Sequence, residues 1–356
     1  MTSPTGGRLR REIADLNPGY GAWVMATAIV STGFDLFGLR ALSEALLWVA
    51  AAAFALLLVA YTWRLLAHRR RMLADARDPS RAFGYFSLVA ATNVLGVRLG
   101  LDDHLTVALA LGAASVPLWL LLTYAIPGAM IVGRRQNPVL PGVNGSWFLW
   151  VVATQSLSVT ASTLGASMPG LVPWLAPPAV ALWGIGTVLY LMLAGLVMVR
   201  LLESPVTPQA LSPTYWIYMG ATAITVLAAA RILRLPPSVP VVAATRDVVS
   251  GLAFLLWAFG TWWIPLLLAF GVWRHGVHRE PLRYEATWWS VVFPLGMYAA
   301  ASAIYGWSTG MTFMVDIARG EVWLGLAAWL GVLAAMVISL LPDRTTPIKS
   351  EVRDEP

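Results

Sequence analysis

Very few ionisable residues stand inside the apolar stretches of this 356-residue chain, and they limit the chemistry it can perform. Asp35, Arg98 and Arg231 are the charges that fall within predicted spans and away from a basic loop. Charges in a bilayer are costly and usually functional. Each lies about 15–16 residues along its span, or roughly 23 Å at 1.5 Å per residue, so the three share a depth near one mouth. Two readings stay open. Arg98 and Arg231 make an outer vestibule positive with Asp35 pairing one of them, or all three snorkel to the interface or form a fixed salt bridge.

Enzyme chemistry finds no support. The histidines, His68, His104, His275 and His278, lie in loops or at span ends, and none belongs to an H-E-x-x-H zinc site or a haem pair. Cysteine is absent, so there is no thiolate metal site or cysteine nucleophile. No glycine-rich phosphate loop follows a strand, and Asp75 and Asp78 read as surface charges in a basic loop. No catalytic residue, metal or cofactor is expected. With no acid or histidine near mid-membrane, a proton relay has nothing to use. That favours a channel, or transport driven by the substrate's own gradient, over a proton pump; a membrane-embedded enzyme or sensory scaffold lacks any catalytic cluster.

The stretch 288–298, WWSVVFPLGMY, has a different potential. Pro294 removes one helical hydrogen bond and bends the helix, and in lipid the freed carbonyl needs protein or a water-lined cavity. Phe293 at the bend is either a constriction or a packing residue. Elsewhere, small and hydroxyl residues concentrate in alternate spans: Ala26, Thr27, Ser31 and Thr32; Ala90, Thr92 and Asn93; Thr154, Gln155, Ser156, Ser158 and Thr160; Gly220, Thr222 and Thr225. Such residues permit close helix packing and equally suit a wetted lining. The candidate lining set is Met25, Thr27, Ser31, Thr92, Asn93, Thr154, Gln155, Ser158, Thr222, Thr225 and Met297.

The elements that must position these residues are membrane helices. Apolar residues make up 58% and charged residues 12% of the chain, in repeated long runs, which predicts an all-α integral membrane protein and not a barrel. Ten spans are expected at 20–38, 44–66, 83–101, 105–132, 146–164, 173–201, 214–233, 248–273, 284–307 and 322–341, pairing as five helical hairpins. Residues 18–342 form the transmembrane domain, flanked by polar tails at 1–17 and 343–356 with little to pack. The first span is expected to be retained and not cleaved as a signal. Of 24 Lys and Arg, 18 fall on the side of the tails, which places both tails in the cytoplasm. The net charge of +6 thus reflects topology and not nucleic-acid binding. The basic run at 68–71 reads as an anchor beside lipid head groups, or less simply as a partner site.

Three segments carry a family resemblance. NPGYGAWVMATAIVS at 17–31, NGSWFLWVVATQSLSV at 144–159 and WWSVVFPLG at 288–296 resemble, in order and spacing, the tellurite-resistance/dicarboxylate transporter family of TehA-like permeases and slow anion channels. The resemblance implies a quasi-fivefold arrangement of the five hairpins, with odd helices lining a central pore and even helices outside. It implies that Phe293 occludes the pore with Pro294 setting the bend, and that subunits assemble as homotrimers with one pore each. Substrates would be small anions: chloride, nitrate, dicarboxylates, sulfite or tellurite. The expected function is a plasma-membrane anion channel or permease; the alternative is a coupled carrier, such as a proton–dicarboxylate symporter or a sulfite or tellurite efflux permease. Two departures bear on pore width: Met25-Ala26-Thr27-Ala28 stands where the family often has M-G-T-G, and the other inner spans lack mid-helix prolines.

Overall fold

The computed structural model describes residues 4–133 and 138–340. Arg134, Arg135 and the C-terminal tail at 343–356, which contributed to the charge count, lie outside the described residues. Ten helices of 16 residues or more are numbered here in order: α1 Gly21–Leu36, α2 Arg40–Ala67, α3 Phe86–Leu101, α4 Leu105–Val132, α5 Leu149–Ser167, α6 Val172–Glu203, α7 Ile217–Ile232, α8 Pro240–Gly271, α9 Trp289–Thr309 and α10 Thr312–Leu340. Seven of them, α2, α3, α4, α6, α7, α8 and α10, are long and apolar enough to cross a membrane by length and composition, counting the short turns contiguous with some of them. The protein is an all-α, multi-spanning membrane protein.

Odd and even helices differ in what they bury. Every residue of α7 is buried, and α1, α3, α5 and α9 are buried over most of their circumference. The even helices bury one stripe each. In α10 it runs through Met314, Val315, Ala318, Val322, Gly325, Trp329 and Val332, a spacing of three and four that keeps one face inward. Their other faces expose Trp48, Tyr124, Trp174, Val188 and Trp262, as a lipid-facing surface requires. The odd helices pack in sequence, α1 on α3, α3 on α5, α5 on α7, α7 on α9, and α9 returns to α1. Each also packs on the even helix that follows it. The alternating helices therefore form an inner layer that closes on itself.

Small residues set the spacing between the layers. Gly325 of α10 faces Gly296 of α9, and a Cβ on Gly325 would lie 3.5 Å from Gly296 N. Gly112, Gly186 and Gly260 of α4, α6 and α8 make room for Thr160, Gln155 and Thr222 of the inner layer. Dispersion at such close approach holds helices together where lipid supplies no hydrophobic drive. The tight odd-to-even turns use left-handed residues: Gly38 (φ 78°), Asp103 (φ 63°) and Gly310 (φ 76°), types that tolerate this conformation.

Two expectations change. Two even helices begin well before their predicted spans, α8 at Pro240 and α10 at Thr312, where 248 and 322 were expected. Arg246 and Asp247, and Asp316, Arg319 and Glu321, sit in the early turns of these helices. Charge ended the predicted spans there, whereas a helix of about 30 residues reaches about 45 Å and carries charge beyond the hydrocarbon layer. The N-terminal tail, expected to have little to pack, forms the helix Pro4–Ala14. Its last carbonyl accepts hydrogen bonds from Arg64 Nε (3.2 Å) and Nη2 (3.1 Å), and Asp15 pairs with Arg71 at 2.7 Å.

Candidate functional site

Each inner helix starts in the same way. A short 3-10 turn precedes it: Pro18–Tyr20, Ala82–Tyr85, Gly145–Phe148, Pro213–Trp216 and Ala286–Trp288. Within each turn a small residue is followed by an aromatic one: Gly19-Tyr20, Gly84-Tyr85, Ser146-Trp147, Thr214-Tyr215 and Thr287-Trp288. The five small residues line one cavity of about 290 Å³ at the N-terminal ends of the inner helices. Three of the aromatics point away from it and tie down loops. Tyr85 donates to the Met72 carbonyl, Trp147 to that of Pro79 and Trp288 to that of Arg283, at 3.0, 2.8 and 3.0 Å. Glycine lets the first two turns meet, because a Cβ on Gly84 would come within 2.9 Å of Gly19 N.

Further along the inner helices lies a second cavity of about 20 Å³, lined by all five of them. It has room for about one water. Its wall is Ile29 and Thr32 from α1, Asn93, Val94 and Val97 from α3, Ser156 and Val159 from α5, Ile224, Leu227 and Arg231 from α7, and Met297 from α9. No carboxylate lines it among the described residues.

Phe293 stands on α9 between residues that line the two cavities. On α9, Ser290 lines the mouth and Met297 the inner cavity. Phe293 follows Ser290 by three residues and precedes Met297 by four, so all three share a helical face. Its side chain is 0% exposed. Gly220 of α7 accommodates the bend: a Cβ there would stand 2.8 Å from Pro294 Cγ and 3.3 Å from Phe293 Cε1. Pro294 also lacks the N–H that would bond the Ser290 carbonyl.

The candidate lining residues divide. Asn93 and Met297 line the inner cavity. The Asn93 amide is engaged on both sides, donating to Val89 O (2.9 Å) and Ser115 Oγ (2.9 Å) and accepting from Thr160 Oγ1 (2.8 Å). Five others reach the even helices. Ser31 bonds to Ser43 of α2, and Thr154 accepts from Trp119 Nε1 of α4 at 3.0 Å. Gln155 donates to the Trp183 carbonyl and Ser158 to the Ala179 carbonyl of α6, and Thr27 accepts from the indole of Trp329. Thr92, Thr222 and Thr225 donate to carbonyls of their own helices, Thr222 against Gly260. Met25 is buried.

The three charges also separate. Arg98, 1% exposed, pairs with Asp102 at 2.9 Å and Asp35 at 3.6 Å. It also donates to Ser31 Oγ (3.0 Å) and Ser43 Oγ (2.8 Å). Arg231 lines the inner cavity, and its Nε has no hydrogen-bond partner. Sequence reasoning passed over the mouth. Its recurring signal, a small residue before an aromatic at the head of alternate spans, was present five times but at irregular intervals. It also treated Arg200, which lines the mouth, only as a topology marker.

Comparison with known proteins adds family context. A protein-family model described as voltage-dependent anion channel, SLAC1, matches residues 15–337. An uncharacterized transporter of Methanocaldococcus jannaschii is 26% identical over 329 residues, covering 89% of this chain and 91% of its own length. A second from the same organism is 24% identical over 281 residues, covering 78% and 79%. An uncharacterized membrane protein of Mycobacterium tuberculosis is 46% identical over 149 residues, 42% of this chain and 75% of its own length.

Proposed function

The chain belongs to the SLAC1 voltage-dependent anion channel family, a family of non-enzymatic transport proteins, and on that premise we propose that it conducts small anions through a central pore closed by Phe293. One observation carries this reading: a fully buried aromatic ring stands on α9 between residues that line two cavities, one walled by the turns that head all five inner helices and the other by the five helices themselves. A ring in an apolar throat blocks ions because the throat dewets and dehydration is expensive. A rotamer change or a small shift of α9 joins the cavities. The inner wall offers a partly dehydrated anion the Arg231 guanidinium, whose Nε has no hydrogen-bond partner, and no carboxylate among the described residues to repel it.

In this reading all ten helices of the domain 18–342 span the membrane as five hairpins in quasi-fivefold arrangement. The inner helices line the pore, and the tails and the 290 Å³ mouth face the cytoplasm of the plasma membrane. Subunits assemble as a homotrimer, each with its own pore. Among the described residues no carboxylate or histidine lines the inner wall, which supports a channel over a proton-coupled carrier.

The test is anion-replacement current from purified protein in a planar bilayer, comparing chloride, nitrate, sulfite and malate with Phe293 intact and with Phe293→Ala. Current that stays at background in the variant, with protein present in the bilayer, overturns the gate. Flux that saturates and follows a pH gradient would point instead to the coupled carrier.

A further inference from the structure

Three outer elements end in a buried arginine on the same side of the molecule. Arg64 closes α2, Arg200 closes α6, and Arg274 lies in the turn Val272–Val277 that follows α8. They are 1%, 7% and 7% exposed. Two are neutralised. Arg64 meets Asp75 at 2.6 Å and the Tyr85 hydroxyl at 3.2 Å; Arg274 faces Glu285 at 3.6 Å and donates to the Leu211 carbonyl. Arg200 has no ion pair among the described residues, and its Nε and Nη1 have no hydrogen-bond partner.

A buried, uncompensated guanidinium is costly, and its placement says what would offset the cost. Arg200 lines the mouth cavity. So does Ser146, 8% exposed, whose Oγ is also without a partner. The inner helices begin around the same cavity, so the positive ends of their dipoles converge on it. No carboxylate lines it among the described residues. About 290 Å³ is far more than one water requires.

We propose that the mouth cavity is an anion-binding site in its own right, in which Arg200 and the Ser146 hydroxyl hold a small oxyanion on the cytoplasmic side of Phe293. The planar guanidinium suits the several acceptor oxygens of a nitrate or carboxylate group better than a single point charge. The site rests on the pore reading only for its role, which is to concentrate anions at the mouth; binding itself needs no conduction.

Equilibrium binding of sodium nitrate to the full chain in nanodiscs of uncharged lipid tests this, read by calorimetry and by nitrate-dependent rise in melting temperature. The wild type binds. Arg200→Gln weakens binding at least tenfold and loses the nitrate-dependent rise, while Arg200→Lys falls between them. Ser146→Ala weakens binding severalfold and serves as the second probe should Arg200→Gln misfold. Unchanged nitrate affinity in folded Arg200→Gln, or in Ser146→Ala if only that variant folds, overturns the site even when Phe293→Ala conducts. Arg200-dependent binding with no current from Phe293→Ala upholds the site and removes the pore reading instead.

Discussion

Trp329 donates its indole N–H to Thr27 Oγ1 at 3.0 Å, joining α10 to α1 across 302 positions. The hydroxyl in turn donates to the Trp23 carbonyl at 2.8 Å. This buried pair helps secure the seam at which α9 and α10 return to α1. Trp329→Phe removes the donor while keeping most of the ring, and Thr27→Val removes the acceptor. Each is expected to cost about 1 kcal/mol, and the double variant less than the sum of the singles. Thermal unfolding in detergent checks this; full additivity would mean that the bond contributes nothing.

Phe293→Ala is expected to open a path from the mouth to the inner cavity. Basal anion current should rise on the order of tenfold or more, since an apolar constriction gates by dewetting. Single-channel recording separates a larger unitary current from a higher open probability. The gate reading requires at least one of them.

Gly220→Ala tests how the ring is seated. Its new Cβ would fall 2.8 Å from Pro294 Cγ, so α9 must move away. Overpacking of this kind costs about 1–3 kcal/mol. Basal current should increase, though less than for Phe293→Ala, with melting temperature lowered. A destabilised protein with wild-type current would show that the α7 contact does not hold the ring in place.

The two arginines of the inner helices α3 and α7 should behave in opposite ways. Arg98 is tied to Asp35, Asp102, Ser31 and Ser43. Arg98→Met leaves Asp35, Asp102 and two hydroxyls without that partner, and should destabilise by about 1–3 kcal/mol with little effect on selectivity. Arg231 has one guanidinium nitrogen without a partner and lines the cavity. Arg231→Gln should leave stability near wild type and lower the anion-to-cation permeability ratio. Reversal potentials in asymmetric salt, with melting curves, decide the pair, and equal effects of the two substitutions would sink the distinction.

Much of the fold was legible because lipid demands it. Long apolar runs must be helices, and alternation in polarity marked the odd spans as different. Helix phase was not legible. When a helix is buried all round, as α7 is, composition does not say which side chains face the axis and which face the outer layer. Thr154, Gln155 and Ser158 look like lining residues, yet their bonds run to Trp119, Trp183 and Ala179 on even helices. Ile29, Val94, Val97, Ile224 and Leu227, which nothing in the sequence singles out, line the cavity. Asp35 beside Arg98 could be weighed as a salt bridge from depth alone. The isolation of Arg200 could not, because it depends on where Asp75 and Glu285 stand relative to Arg64 and Arg274.

The spacing of Ser290 and Met297 on α9 has an electrical consequence. They are seven residues apart, about 10 Å along a helix, against a hydrocarbon thickness of about 30 Å. In the proposed pore, water and ions reach the mouth and the far cavity but not the span occupied by Phe293. Applied voltage then drops chiefly across that thin insulating segment, making the local field about threefold steeper than across the whole membrane. An anion crossing the ring traverses most of the membrane potential in one step, worth about 2.3 kcal/mol per 100 mV.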